Sequence, residues 1–124
     1  MPDPEKSAKD TGKTRYAIFV HLRTTPSWLA LPRAQRSAIA AEAFAQALPS
    51  DEVRMRYFDA EAFTGRCTDL ALFETTDLKA YYFAIERLRD TPLFTVPYFE
   101  VTDIVMTVED GYIAFEKSEE TAHE

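Results

Sequence analysis

The chain has 124 residues, of which 46% are hydrophobic and 28% charged, and its 21 acidic and 14 basic side chains leave a net charge of -7. A chain of this size buries roughly two-thirds of its unfolded surface, enough for one core and too little for a second domain. The acidic balance, with no basic stripe, argues against nucleic acid and anionic membranes as partners. The single cysteine, Cys67, cannot close an internal disulfide, and no apolar leader or span-length apolar run stands in the sequence, so a cytoplasmic protein is expected.

Residues 1–14 hold Pro2, Pro4, Gly12 and balanced charges with no large apolar side chain after Met1, which predicts a disordered tail. From Arg15 to Arg23, Tyr16, Ile18, Val20 and Leu22 alternate with Ala17, Phe19, His21 and Arg23, the period of a strand. Thr24–Ser27 breaks it, Trp28–Leu31 makes an apolar connection, and Pro32 suits the first residue of a helix running to about Leu48. The apolar stripe expected on that helix is Ser37, Ala40, Ala41, Phe44, Ala47 and Leu48. A second strand, Val53 to Phe58, is polar enough for a sheet edge. A third runs from Thr68 to Glu74. Thr75-Thr76-Asp77 then opens a second helix with the stripe Leu78, Tyr81, Tyr82, Ile85 and Leu88. Thr91–Pro97, twice broken by proline, reads as a helical turn or buried loop. A fourth strand covers about Phe99 to Val108. Asp110-Gly111 reads as a hairpin turn before a short returning strand, Tyr112 to Phe115, and residues 118–124 as an acidic tail.

The order βαββαβ, with two helices that each need a sheet to cover one stripe, predicts an α+β ferredoxin-like sandwich over residues 15–117. Ala17, Phe19, His21 and Arg23 are expected to share the uncovered sheet face with Asp69, Ala71 and Phe73. A face so apolar calls for a cover, and the expectation is a homodimer with the two open faces together.

The stretch Tyr16-Ala17-Ile18-Phe19-Val20-His21-Leu22-Arg23-Thr24-Thr25-Pro26-Ser27-Trp28-Leu29, with Phe63–Leu70 and Val108–Tyr112, resembles the darcynin family of small bacterial proteins, over about residues 15–117. That resemblance brings no assigned activity. Thr68–Tyr81 also resembles the third-strand to second-helix passage of the wider dimeric α+β barrel superfamily. This second likeness implies paired ferredoxin-like sheets and a pocket between sheet and helices for small aromatic or polyketide-like molecules, in several members without a cofactor. Several members place a histidine after a proline beyond the second helix; here Thr91-Pro92-Leu93-Phe94-Thr95 has none.

His21 is the one histidine outside the C-terminal tail, where His123 lies. It and Asp69 are the candidate catalytic acid and base, with Phe19, Arg23, Phe73, Trp28 and Tyr57 as candidate ligand-binding residues. The bland alternative is a structural histidine and a rim ion pair at a dimer seam. Arg54, Arg56 and Arg66 offer an anion-binding group or, more simply, solubility on an edge strand. Cys67 reads as a small buried residue. No metal-ligand spacing and no glycine-rich phosphate cradle is present, so no metal and no cofactor is expected. The leading expectation is a small-molecule-binding homodimer, acting on an aromatic or acidic metabolite as a cofactor-independent oxygenase or isomerase. A non-catalytic interaction module is the alternative. A haem-handling protein comes third, disfavoured by the single candidate axial histidine.

Overall fold

The computed structural model describes residues 12–122. The four strands are β1 (Tyr16–Thr24), β2 (Val53–Asp59), β3 (Asp69–Thr75) and β4 (Phe99–Val108), in one antiparallel sheet of order β2-β3-β1-β4. The helices are α1 (Pro26–Leu29), α2 (Arg33–Ala47), α3 (Leu78–Arg89), α4 (Pro92–Thr95) and α5 (Gly111–Ala122). β1 lies inside the sheet because both of its faces are apolar enough to be shared, whereas the charged β2 takes an edge. Crossing α2 and α3 over one face gives the ferredoxin-like α+β arrangement read from the order of elements.

The core lies between that face and the helices. Ile18, Val20 and Leu22 of β1, and Ala71 and Phe73 of β3, meet Ala43 and Ala47 of α2 and Ala84 and Leu88 of α3. Small alanines at the crossing let the helices approach the sheet closely. The stripe of α2 differs from expectation at Ser37 and Ala41, which are exposed while Ala43 is buried, and that of α3 at Tyr82, which is 59% exposed while Ala84 is buried. In both cases alanine takes the tightest place and the larger or neighbouring side chain turns outward.

Local chemistry sets the helix ends. The Asp77 carboxylate accepts from the N–H groups of Lys79 and Ala80, at 3.0 and 3.2 Å, and so starts α3. Pro32 stands outside α2 as its extended N-cap rather than as its first residue. The predicted connection Trp28–Leu31 is in part the single turn α1, because the Thr25 hydroxyl accepts from the Trp28 N–H while donating toward the Tyr98 carbonyl.

The expected hairpin after β4 does not form. Asp110 adopts φ 50°, and the chain continues from Gly111 as helix α5 through Ala122, so the returning strand Tyr112–Phe115 and most of the acidic tail are helical. Alanine, glutamate and lysine in this stretch favour helix, and Tyr112 meets Glu116 one turn on. The predicted tail over residues 1–14 falls outside the described residues except for 12–14, as do residues 123 and 124, including His123.

A β-bulge interrupts the β1–β4 ladder. His21 pairs with Asp103 but Leu22 pairs with Val101, leaving Thr102 as the extra residue. At the opposite end of β1, Arg15 bridges Glu74 at 3.3 Å and Glu109 at 3.1 Å, tying the end of β3 to the exit of β4. Among the described residues no helix is long and apolar enough to cross a membrane.

Candidate functional site

The β1–β3 register decides which side chains meet. Ile18 lies opposite Phe73, Val20 opposite Ala71 and Leu22 opposite Asp69, while Phe19 faces Leu72 and His21 faces Leu70. Residues directly opposite share a face. Asp69, Ala71 and Phe73 therefore stand under the helices, and Phe19 and His21 stand on the open face. This corrects the expected grouping: His21 and Asp69 are separated by the sheet. Both alternating sets of β3 are apolar, so hydrophobicity could not choose between them, and a one-residue change of parity moves every side chain across.

The other predicted residues divide in the same way. Tyr57 pairs with Ala71 and joins Asp69 and Phe73 beneath the helices. Trp28 is buried beside them, its ring 5.0 Å from Phe99 and 5.3 Å from Tyr98. Arg23 is committed elsewhere, since its Nη2 donates to the carbonyls of Gly65 and Arg66 at 2.9 Å each and staples the β2–β3 loop. Cys67, at the end of that loop, is buried.

Two hollows flank Tyr57. One is a chamber of about 500 Å³ between the sheet and α3–α4, walled by Phe44, Phe73, Tyr81, Leu93, Phe94 and Phe99 and opening along Val101 and Ile104 of β4. Its lining includes a single formally charged side chain, Arg89. The other is a more open cleft of about 710 Å³ under α1 and α2, where Arg33 and Arg36 share the lining with Asp59, Glu61 and Asp69. Phe44, Tyr57 and Phe99 border both.

Asp69 is 6% exposed and lies directly opposite Asp59 across the β2–β3 ladder. The Thr68 hydroxyl donates to its Oδ2 at 2.7 Å. Burial raises the Asp69 carboxyl above the usual range, the Thr68 hydrogen bond pulls it down, and the hydrogen bond and charge of Asp59 and the charge of Glu61 raise it further. Burial, then the Asp69 carboxylate, push the Tyr57 phenol up as well, and Tyr57 hydrogen-bonds to Asp69. The result is a buried phenol held protonated as a hydrogen-bond donor to the Asp69 carboxyl group at the border of the chamber. The carboxylate oxygens of Asp59, Glu61 and Asp69 lie within 4.8 Å of one another.

Phe73 and Tyr57 of the chamber lining were read from the sequence, whereas Asp59, Glu61, Phe44, Leu93, Phe94 and Phe99 escaped it. One available signal was the continued alternation Val53, Met55, Tyr57, Asp59, which places Asp59 on the covered side.

A raised carboxyl has a definite linkage sign. Between its unfolded and its folded pKa, Asp69 holds a proton in the folded state that the unfolded chain releases, so stability falls as pH rises through that window. Asp69→Asn keeps the shape without the titration. Urea unfolding from pH 4 to 8 is expected to show a shallower decline with pH for this variant than for the parent; parallel profiles would contradict the assignment.

The sheet order and the position of the helices define a ferredoxin-like domain of the dimeric α+β barrel type. Similar solved folds include a chlorite dismutase variant from Candidatus Nitrospira defluvii, at TM-score 0.70 and 19% identity over 94% of this chain and 54% of that one. The same enzyme in complex with imidazole matches at TM-score 0.69 and 14% identity, over 90% of this chain and 47% of that one. The chain thus spans about half the length of those proteins, and at such identities the likeness is one of fold. Residues 2–122 match the family described as Darcynin, domain of unknown function, and the chain belongs to the Darcynin family. Its relatives include Darcynin from Chromobacterium violaceum, 61% identical over 49% of this chain and 77% of the relative. Darcynin 1 from Acinetobacter baumannii is 45% identical over 68% of this chain and 91% of the relative.

Proposed function

We propose that this Darcynin-family protein binds a small aromatic acid in the chamber between the sheet and α3–α4, as a homodimer paired through the open sheet face. The chamber itself carries the reading. Its volume of about 500 Å³ suits a ligand of one or two rings, its walls are mainly aromatic and aliphatic, and Arg89 supplies one cation for a carboxylate. Tyr57 adds a protonated phenol at the inner border, and any proton transfer on a bound ligand would draw on Tyr57 and Asp69. The open face supports pairing: Ala17, Phe19 and Leu70 stand half-buried on it, with Phe58 41% and Val105 43% exposed beside them.

Thermal-shift and fluorescence titrations with benzoates, naphthoates and their neutral amides test the binding. The acids are expected to stabilise the protein and to bind about tenfold more tightly than the amides, in line with a charge-assisted hydrogen bond worth roughly 1.4 kcal/mol. Ala71 lies at the chamber floor, and Ala71→Phe is expected to abolish this binding while the chain stays folded by circular dichroism. Unchanged binding in that folded variant, or no binding across the whole panel, would overturn the proposal.

A further inference from the structure

The layer of helices stops short of β4. Val101, Ile104, Met106 and Val108 pair with Leu22, Val20, Ile18 and Tyr16 and so point to the covered side of the sheet, yet they remain 48%, 51%, 57% and 46% exposed. Val101 and Ile104 also form the open wall of the chamber. Beyond this strip, α5 runs for 12 residues with none buried, and it presents Tyr112, Ile113 and Phe115 at 74%, 49% and 61% exposure. The same chain thus offers an apolar strip without a helix and a helix without an apolar surface to rest on.

We propose that α5 of a second copy lies across the β4 strip and closes the chamber, each copy supplying the lid of the other. Two observations support a second copy. α5 does not rest on its own strip: none of its residues is buried and Val101, Ile104 and Met106 stay exposed, with only Gly111, after the turn at Asp110, abutting the Val108 side chain. A 12-residue helix is about 18 Å long and the strip from Val101 to Val108 about 25 Å, so one α5, whose large apolar side chains lie in its first turn, covers part of the strip.

The area is of the right order. The seven exposed apolar side chains amount to roughly 700 Å² per copy, counting a large apolar side chain at about 150–200 Å² when free. A reciprocal arrangement uses both sets twice, which reaches the range of about 1,200–2,000 Å² in total for a stable interface. β4 is an edge strand, so the helix reaches its covered side by passing round the sheet edge, and pairing of the open faces is left undisturbed. The inference deepens the binding proposal by giving the chamber its missing wall, and it is read out without any ligand, so the two fail separately.

The test mixes full-length chains carrying Ile104→Cys with chains carrying Phe115→Cys, in the presence of a short bismaleimide; the buried Cys67 is shielded. A covalent dimer linking residue 104 of one chain to residue 115 of the other is expected. A link formed within one chain in the double variant, persisting on dilution and with no covalent dimer, would show that α5 folds onto its own strand and would overturn the proposal. Absence of either product would overturn it too. Sedimentation supplies a second measurement: Phe115→Asp, at an exposed position, is expected to weaken dimerisation at least tenfold, and an unchanged dissociation constant would contradict the exchange.

Discussion

Phe73→Ala is expected to lower the free energy of unfolding by about 3–5 kcal/mol, the cost of removing a large buried ring and leaving a cavity that the surroundings only partly fill. Phe73 is 2% exposed, sits on an internal strand opposite Ile18, and meets the Tyr81 ring edge-on at 5.8 Å. Strands on both sides hold the backbone of β3, so the site cannot collapse easily and the upper part of the range applies. For a domain whose total stability is of order 5–15 kcal/mol, this is a large fraction. Guanidinium unfolding followed by circular dichroism checks it, and a loss below about 1 kcal/mol would mean that the ring is not packed as described. The same variant enlarges the chamber next to Ala71, so an apolar ligand such as naphthalene should recover part of the lost stability by mass action.

Trp28→Ala is expected to cost a similar amount, about 3–5 kcal/mol, by a different route. Trp28 belongs to a four-residue helix that has little stability of its own and is held by its contacts. Its ring packs on Tyr98 and Phe99, and the Thr25 hydroxyl donates to the Pro97 and Tyr98 carbonyls, so the β1–α2 connection is fastened to the start of β4. Losing the ring should loosen this whole corner and widen the cleft under α1, whereas the chamber loses only an outer neighbour at Phe99. Trp28 is the sole tryptophan, so the measurement must again be circular dichroism. A variant with parental stability would show that the connection is held by its hydrogen bonds alone.

The ferredoxin-like fold could be read from the sequence because each strand and helix carries its own period. The alternation of Tyr16 to Arg23, the Asp77 cap and the polarity of β2 act locally, and the local choices agree with the whole. The site was less readable for three physical reasons. First, β3 is apolar on both faces, so the sequence alone did not say whether Asp69 and Phe73 sit with His21 or with Tyr57; the hydrogen-bonded register with β1 makes that choice. Second, the chamber walls Phe44, Tyr81, Leu93 and Phe94 come from separate helices, and a helical stripe looks the same whether it faces packed side chains or a hollow. Third, the Asp110-Gly111 pair suits a hairpin onto the free edge of β4, but Tyr112 to Ala122 satisfies its backbone within itself as α5 instead. The resemblance to the darcynin family rested on contiguous stretches, which need no register to be recognised.

The bulge at Thr102 bears on how the chamber mouth can change over evolution. Residues three apart on a regular strand point to opposite faces, yet Val101 and Ile104 border the same hollow because one extra residue separates them. The bulge thus absorbs one residue without changing which side chains of β4 border the mouth. Removing Thr102 would make the ladder regular, with Val101 still opposite Leu22, Asp103 opposite His21 and Ile104 opposite Val20, so Val101 and Ile104 would still face the hollow. A single-codon deletion would thus remove the local kink and extra twist of β4 while leaving the apolar entrance and every wall residue on α2, α3 and α4 in place.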